Sequence, residues 1–154
     1  MGTVMQLRIY LLIYTMQAKT QIRRDAYKKV LASLNAAILK AESNKENEDF
    51  EYFRDSVIQR FEYSIEHRWK LLKNILELED GILPLSSPRE VFKEAHKVWY
   101  IPDLAIYFAM LDSRNKLSHE YGALIAAEIY PDIYIYVTQL QTDRLSLQAD
   151  ISSR

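Results

Sequence analysis

The sequence predicts an all-α protein, an up-and-down antiparallel bundle of four to five helices. Apolar residues recur at steps of three and four over most of the chain, which is typical of helices that bury one face. Three Gly and four Pro are few for a protein with many tight turns. A length of 154 residues suits one domain with its own core. Long helices joined mainly by short connections favour an antiparallel bundle.

The same spacing predicts the first two helices. We expect helix 1 over residues 17–42, a polar connection over 43–49, and helix 2 over 49–78. Gly81 and Pro84 should then stop helix 2. The residues expected to face the core are apolar and lie three or four apart: Val30, Leu31, Leu34, Ala37, Ile38 and Ala41 in helix 1, and Phe50, Phe53, Val57, Phe61, Ile65, Trp69, Leu72 and Leu76 in helix 2.

Helix 3 has a clear start in the sequence. Ser87 is a good N-cap, Pro88 suits the first helical position, and Glu90 can reach back in a capping box. We therefore expect a short helix over residues 88–98.

Two further helices are predicted after Pro102, over residues 103–119 and 123–146. The stretch 129–137 alternates aliphatic and aromatic residues like a strand, and Pro131 lacks the amide that a helix interior needs. We still expect a helix, kinked near Pro131, because a lone strand would have no partner. The expected inward-facing residues are Leu104, Tyr107, Phe108 and Leu111 in helix 4, and Ala126, Ile129, Tyr130, Ile133, Val137 and Leu140 in helix 5.

The two ends of the chain differ from this bundle. Residues 1–20 form an N-terminal apolar extension, residues 21–146 the bundle, and residues 147–154 a tail that should fray. The extension lacks a basic leading region and a cleavage site, and Arg8 interrupts it, so it does not resemble a signal peptide. It is also too short to span a bilayer. We expect it to be helical or extended and to pack on the domain or on a neighbour.

Composition limits the classes of function. The net charge is -1, so any contact with RNA needs a local basic patch, which residues such as Arg54, Arg60, Arg68 and Lys116 would supply. The absence of cysteine excludes disulfides and thiolate metal sites and favours a reducing compartment, so we expect a cytoplasmic protein without a membrane partner. The three histidines are not spaced four apart, and no glycine-rich phosphate loop is present. We therefore expect neither a metal nor a cofactor.

The strongest candidate site lies in residues 110–122, MLDSRNKLSHEYG. Arg114 is a permanent cation suited to phosphate or carboxylate, and His119 can exchange a proton near neutral pH. On one helix a step of five residues turns two side chains about 140° apart, so one copy cannot aim both at one atom unless the helix ends between them. The alternative is structural: Arg114 pairs with Asp112 or Glu120, and His119 caps the helix end.

The other two histidines are weaker candidates for a functional site. His67 and His96 lie among charged neighbours on helices 2 and 3, and we expect both to face solvent. The eleven tyrosines could stack on bases, but such residues more often belong to a core or an interface.

Three separated stretches carry a resemblance to a known family. RDSVIQRFEYSIEHRWKLLK (54–73), SPREVFKEA (87–95) and LDSRNKLSHEY (111–121) resemble the nucleotidyltransferase substrate-binding proteins of the HEPN superfamily, in order and at the right separations. The last stretch fits that group's R-x4-H-x-Y pattern. The resemblance covers residues 25–145 and leaves out the apolar extension.

The resemblance implies a homodimer in which two copies of the motif share one cleft. It implies that Arg114, Asn115 and His119 form the site of a metal-independent endoribonuclease, a HEPN toxin. It also implies a partner, a minimal nucleotidyltransferase antitoxin that attaches AMP to the motif tyrosine, here Tyr121. The alternative, which the older naming of the family implies, is that the helical chain is a non-catalytic subunit that binds the substrate of a nucleotidyltransferase.

The chemistry of such a cleft can be stated from the residues. Cleavage of RNA without a metal needs a base for the 2′-hydroxyl, a donor for the leaving oxygen and positive charge on the phosphate. Two copies of His119 would supply the first two functions and two copies of Arg114 the third, while Asn115 orients the phosphate or the histidine. AMP on Tyr121 would repel RNA and block it sterically.

Overall fold

The computed structural model describes residues 2–82, 84–120 and 122–152, with side chains as far as residue 143. The described chain is helical and contains no strand, which confirms the all-α prediction; the homodimer stays a prediction. The helices are α1 (Gly2–Glu42), α2 (Phe50–Asn74), α3 (Pro88–Lys97), α4 (Leu104–His119) and α5 (Ala123–Ser152), with one π-helical turn, Ile75–Glu79, directly after α2.

Helices α1 and α2 form a long antiparallel hairpin. The guanidinium of Arg24 donates two hydrogen bonds to the carboxylate of Glu79, at 3.0 and 3.1 Å. Further along, Arg60 Nε donates to Ser33 Oγ at 2.9 Å. The contact that comes first in α1 comes last along α2 and the π turn, so the two helices run in opposite directions.

Helices α4 and α5 close the bundle against α2. The order of contacts makes α4 antiparallel to α2 and to α5, as the up-and-down prediction requires. The core lies between the helices and includes every predicted residue of the α5 stripe and the fully buried Phe61, Ile65 and Leu72 of α2. Pro131 lies inside α5, so the prediction of a helix rather than a strand is confirmed there.

A series of hydrogen bonds between buried polar side chains crosses this core. Arg68 Nε donates to the hydroxyl of Tyr107 at 3.2 Å, and Tyr107 donates to Asp143 Oδ2 at 2.7 Å. Burial raises the pKa of Tyr107 well above its usual value, so its hydroxyl stays protonated and can donate. These two hydrogen bonds link α2, α4 and α5 at one level of the bundle.

The helix ends follow the predicted capping. Ser87 Oγ accepts from the amide of Glu90, while the Glu90 carboxylate accepts from the amide and hydroxyl of Ser86, one residue before the predicted position. Asp103 accepts from the amide of Ile106 at 3.1 Å and starts α4. Gly81, at φ +69°, ends the π turn in the left-handed conformation that favours glycine.

The largest differences from the predicted bounds lie at the two ends of the chain. Helix α1 is continuous from Gly2, so the apolar extension is helical and belongs to α1 rather than preceding it. Helix α5 continues to Ser152, beyond the predicted end at residue 146. The division into extension, bundle and tail stays a prediction.

Candidate functional site on α4

Helix α4 presents the predicted site residues along one stretch of its surface. The helix runs without a break through Arg114, Asn115 and His119, so it does not end between the arginine and the histidine. The first two side chains are half-buried and His119 is exposed. Within one copy the side chains therefore diverge, as the spacing predicts. Tyr121, the predicted site of AMP attachment, lies outside the described residues.

Arg114 points across to α2. Its Nη2 lies 3.4 Å from Glu66 Oε2 and its Nη1 donates to Asn115 Oδ1 at 3.2 Å. The side chain of Arg114 keeps 34 % of its surface exposed. The structural alternative expected a carboxylate partner for Arg114, and the partner is Glu66 rather than Asp112 or Glu120. Asp112 pairs with Arg89 of α3 at 2.6 Å.

Glu66 holds Arg114 and is itself held by its own helix. Lys70 Nζ lies 2.6 Å from Glu66 Oε1, and Trp69 Nε1 donates to Oε2 at 2.9 Å. Partial burial acts to raise the pKa of Glu66, but the hydrogen bonds from Lys70 and Trp69 and the charges of Lys70 and Arg114 outweigh it and keep this pKa below its usual value. The carboxylate is therefore ionised at neutral pH and balances the charge of Arg114.

A second acidic contact follows one turn along. Ser118 Oγ lies 3.1 Å from Glu62 Oε1 and 3.0 Å from the carbonyl oxygen of Arg114, and its single proton can be donated to either acceptor. On the other side of α4, Lys116 pairs with Glu128 of α5 at 2.7 Å. The surface around the motif is thus balanced in charge rather than basic.

The basic patch predicted around the motif is wrong. Arg68 is fully buried in the core, and Arg54 is 6 % exposed and paired with Asp55. Arg60 is bound to Ser33 and Ser56 at the contact with α1. Of the four predicted cations only Lys116 lies on α4 itself, and its charge is already paired.

An open groove of about 680 Å³ lies beside the end of α4. Its walls come from the first half of α2 and from the start of α5, and several of its lining residues are acidic. Those acidic residues are Glu51, Asp55, Glu62 and Glu120. Gly122 lines the same groove and has φ +153°, so glycine suits the turn between α4 and α5.

The remaining two histidines are less exposed than predicted. Both His67 and His96 are half-buried, and the Nδ1 atom of His96 lies 3.0 Å from the carbonyl of Ile101. Burial, together with the charges of Lys70 and Arg23, lowers the pKa of His67. Neither histidine joins the α4 surface.

The described part of the chain offers neither a metal cluster nor a membrane span. No three His, Asp or Glu side chains come together there in a way that would hold a metal ion. None of the described helices has the length and apolar character needed to cross a bilayer.

Comparison with known protein families gives a match over most of the chain. Residues 22–149 match the family described as nucleotidyltransferase substrate binding protein like. The chain belongs to this family. The match includes all of α2 to α4 and begins after the first half of α1, so the apolar extension lies outside the family region. It includes Arg114, Asn115 and His119.

A solved structure agrees with the assignment to this family. A crystal structure of a protein from Thermus thermophilus superposes with a TM-score of 0.64 and 29% identity, covering 78% of this chain and 96% of that chain. The two chains therefore share one fold. No curated protein matches the chain.

Glu66 is the residue at this site that sequence analysis missed. It contacts Arg114 across 48 positions of sequence, which no local pattern reveals. One signal was available: Glu62 and Glu66 lie four apart on α2, as do Arg114 and Ser118 on α4, so each pair shares a helix face.

Proposed function

We propose that this protein is the helical subunit of a two-protein system with a nucleotidyltransferase, and that the Arg114 surface of α4 is its working site. Membership in the nucleotidyltransferase substrate binding protein like family over residues 22–149 carries the proposal. The surface supports it, because Arg114 is half-exposed and keeps donors available beside a carboxylate that an incoming phosphate or carboxylate can replace.

The charge balance of this surface suits recognition of a protein or a nucleotide held by one. Arg114 and Lys116 provide two cations, and Glu62, Glu66 and Glu128 provide carboxylates that are engaged in the same chain. Mixed charges at a surface favour orientation and partner choice more than general attraction to nucleic acid. A partner that brings its own phosphate or carboxylate would compete with Glu66 for Arg114.

Binding to a minimal nucleotidyltransferase tests this proposal. We expect a complex in isothermal titration, and we expect Arg114→Ala to weaken it at least tenfold, because an arginine at the centre of an interface commonly carries more than 1 kcal/mol. The matched control is Lys97→Ala on α3, a surface cation that pairs with Glu94 of its own helix. Absence of a complex, or equal weakening by both substitutions, would contradict the proposal.

A second candidate function is metal-independent cleavage of RNA by a pair of copies. One observation favours it: His119 is exposed at the end of an unbroken α4 that also carries Arg114, so a second copy can place both pairs around one phosphate. His119 of one copy would remove the 2′-hydroxyl proton, and its equivalent in the other would protonate the leaving 5′-oxygen. Arg114 would then leave Glu66 for the phosphate oxygens.

Both candidate functions involve a nucleotidyltransferase, and in the second this partner acts on Tyr121. In the second, the nucleotidyltransferase silences cleavage by transferring AMP from ATP to the tyrosine oxygen, with release of pyrophosphate and of the phenolic proton. The added phosphate and adenosine would lie two residues from His119 in sequence. The negative charge and the bulk would both keep RNA away.

A further inference from the structure

The first part of α1 is an apolar helix with almost no cover. Residues 2–19, here called the arm, extend past the end of α2, where Arg24 and Glu79 form the last pair between the two helices. Nine large apolar side chains of the arm are between 49 and 67 % exposed: Val4, Met5, Leu7, Ile9, Tyr10, Leu11, Leu12, Ile13 and Tyr14. These nine occur within eleven positions, so apolar groups face every side of the helix.

Such a helix requires cover from another surface. A helix that is apolar all round is normally buried, and exposed apolar patches of several hundred Å² mark interaction sites. The arm has a single charged residue, Arg8, before Lys19. A helix that lies on a membrane surface has one strongly charged face. The arm lacks that face, which favours a protein surface as its cover.

A groove of about 880 Å³ lies at the base of the arm. One wall is the arm itself, through Ile13 and Tyr14, and the other is the body of the bundle, through Leu78 and Tyr100. Asp25 also lines the groove and is exposed. The groove is thus mainly apolar, and its charged groups are the Arg24–Glu79 ion pair and the exposed carboxylate of Asp25.

We propose that the arm and this groove pair with the same elements of a second copy of this chain, related by a two-fold axis. One chain carries both an unpaired apolar helix and an apolar groove beside it, which is the self-complementary surface that a two-fold interface needs. An incoming arm brings its only nearby charge, Arg8, toward Asp25 in the groove. The nine side chains offer on the order of 800 Å² per copy, about what a stable interface buries.

This interface is separate from the motif on α4. The arm leaves the bundle near Glu79, whereas Ser118 contacts Glu62, seventeen positions back along α2 and the π turn. That distance is about 25 Å at the helical rise. Pairing through the arm therefore does not depend on the function proposed for Arg114 and His119, and the two can be tested apart.

Light scattering coupled to gel filtration tests the proposal. We expect the wild-type protein to have twice the mass of the double variant Leu7→Glu/Leu11→Glu, because both side chains are exposed on one face of the arm and each new charge would be buried at the interface. The matched control is Leu39→Glu/Ile135→Glu, two apolar residues exposed elsewhere on the bundle, which should keep the wild-type mass. Circular dichroism checks that all three proteins are folded.

A cross-link tests the two-fold arrangement directly. The chain has no cysteine, so a single introduced cysteine is the only thiol that can form a disulfide. Because Arg8 of one arm lies opposite Asp25 of the other, the two-fold axis passes near positions 16 and 17, and residues there should lie close to their own equivalents. We expect Gln17→Cys, at an exposed position that lines the groove, to form a disulfide-linked dimer on mild oxidation and Leu39→Cys not to do so.

Other outcomes would overturn the inference. Equal masses for the wild type and the arm variant, or equal cross-linking at both positions, would exclude a second copy as the cover. Binding of the wild type, but not of the arm variant, to vesicles of phosphatidylcholine and phosphatidylglycerol would assign the arm to a membrane. Loss of nucleotidyltransferase binding in the arm variant, with an unchanged mass, would assign it to that protein.

Discussion

Arg68→Met is expected to lower the free energy of unfolding by about 3 kcal/mol, the lower end of the range for breaking a buried charge pair. Arg68 is fully buried and lies over the rings of Tyr27 and Tyr107, at 5.5 and 5.7 Å. Through Tyr107 its charge balances the buried carboxylate of Asp143. Methionine keeps much of the side-chain volume, but it removes a buried positive charge near Asp143 and the hydrogen bond that Arg68 donates to Tyr107. Urea denaturation measures the change.

Arg89→Met is the matched control for this prediction. Arg89 pairs with Asp112 at the surface, with side chains 47% and 63% exposed, and lies 4.4 Å from the ring centre of Phe108, so its replacement should cost no more than about 1 kcal/mol. Equal effects of the two substitutions would show that the buried chain of Arg68, Tyr107 and Asp143 does not hold the bundle together.

Cleavage of RNA should fall by about 10² to 10⁴-fold in His119→Ala if the ribonuclease candidate is correct, because a general acid or base contributes that much. The assay is degradation of a set of labelled RNAs by purified protein in the presence of a chelator. His119 is exposed at the end of α4, so the substitution should leave the fold intact, and thermal unfolding checks this.

His67→Ala serves as the control in the cleavage assay. His67 lies on α2, where Arg23 and Lys70 influence it, and it is not part of the α4 surface. It should retain wild-type cleavage. Wild-type protein that is inert toward all the RNAs, or His119→Ala protein that is as active as the wild type, would remove the ribonuclease candidate and leave the binding subunit.

The helices could be predicted from the sequence because each has a local signal. Leu72 of α2 and Leu76 of the π turn continue one apolar spacing. Ser87 and Asp103 start helices because their side chains accept hydrogen bonds from backbone amides. The strand-like stretch after Ile129 was correctly assigned to a helix from the lack of any partner strand. The apolar spacing and the helix starts needed only neighbours within about four positions, whereas the assignment after Ile129 needed the whole sequence.

Two buried arginines were misjudged although their spacing gave a signal. Arg54 lies four positions after Phe50 and three before Val57, and Arg68 lies three after Ile65 and four before Leu72. Both therefore occupy the inward face of α2. Charge suggested a surface position, but burial of an arginine is possible where aromatic rings and a carboxylate meet it, as they do at Arg68.

The site itself could be predicted only in part. The positions of Arg114 and His119 on one unbroken helix follow from local spacing, and so does their divergence. The contact with Glu66 and the balanced charge of the surface depend on how α4 packs against α2, which is a long-range property. The uncovered arm could not be predicted either, because apolar residues at successive positions show no preferred face.

Hydrogen exchange of the chain alone and with the nucleotidyltransferase tests the central proposal most directly. If the α4 surface is the working site, the partner should slow exchange in residues 110–120, which carry Arg114, Asn115 and His119, and in the part of α2 around Glu66 that faces them. Protection confined to α3 or to the arm, or no protection anywhere, would contradict the proposal.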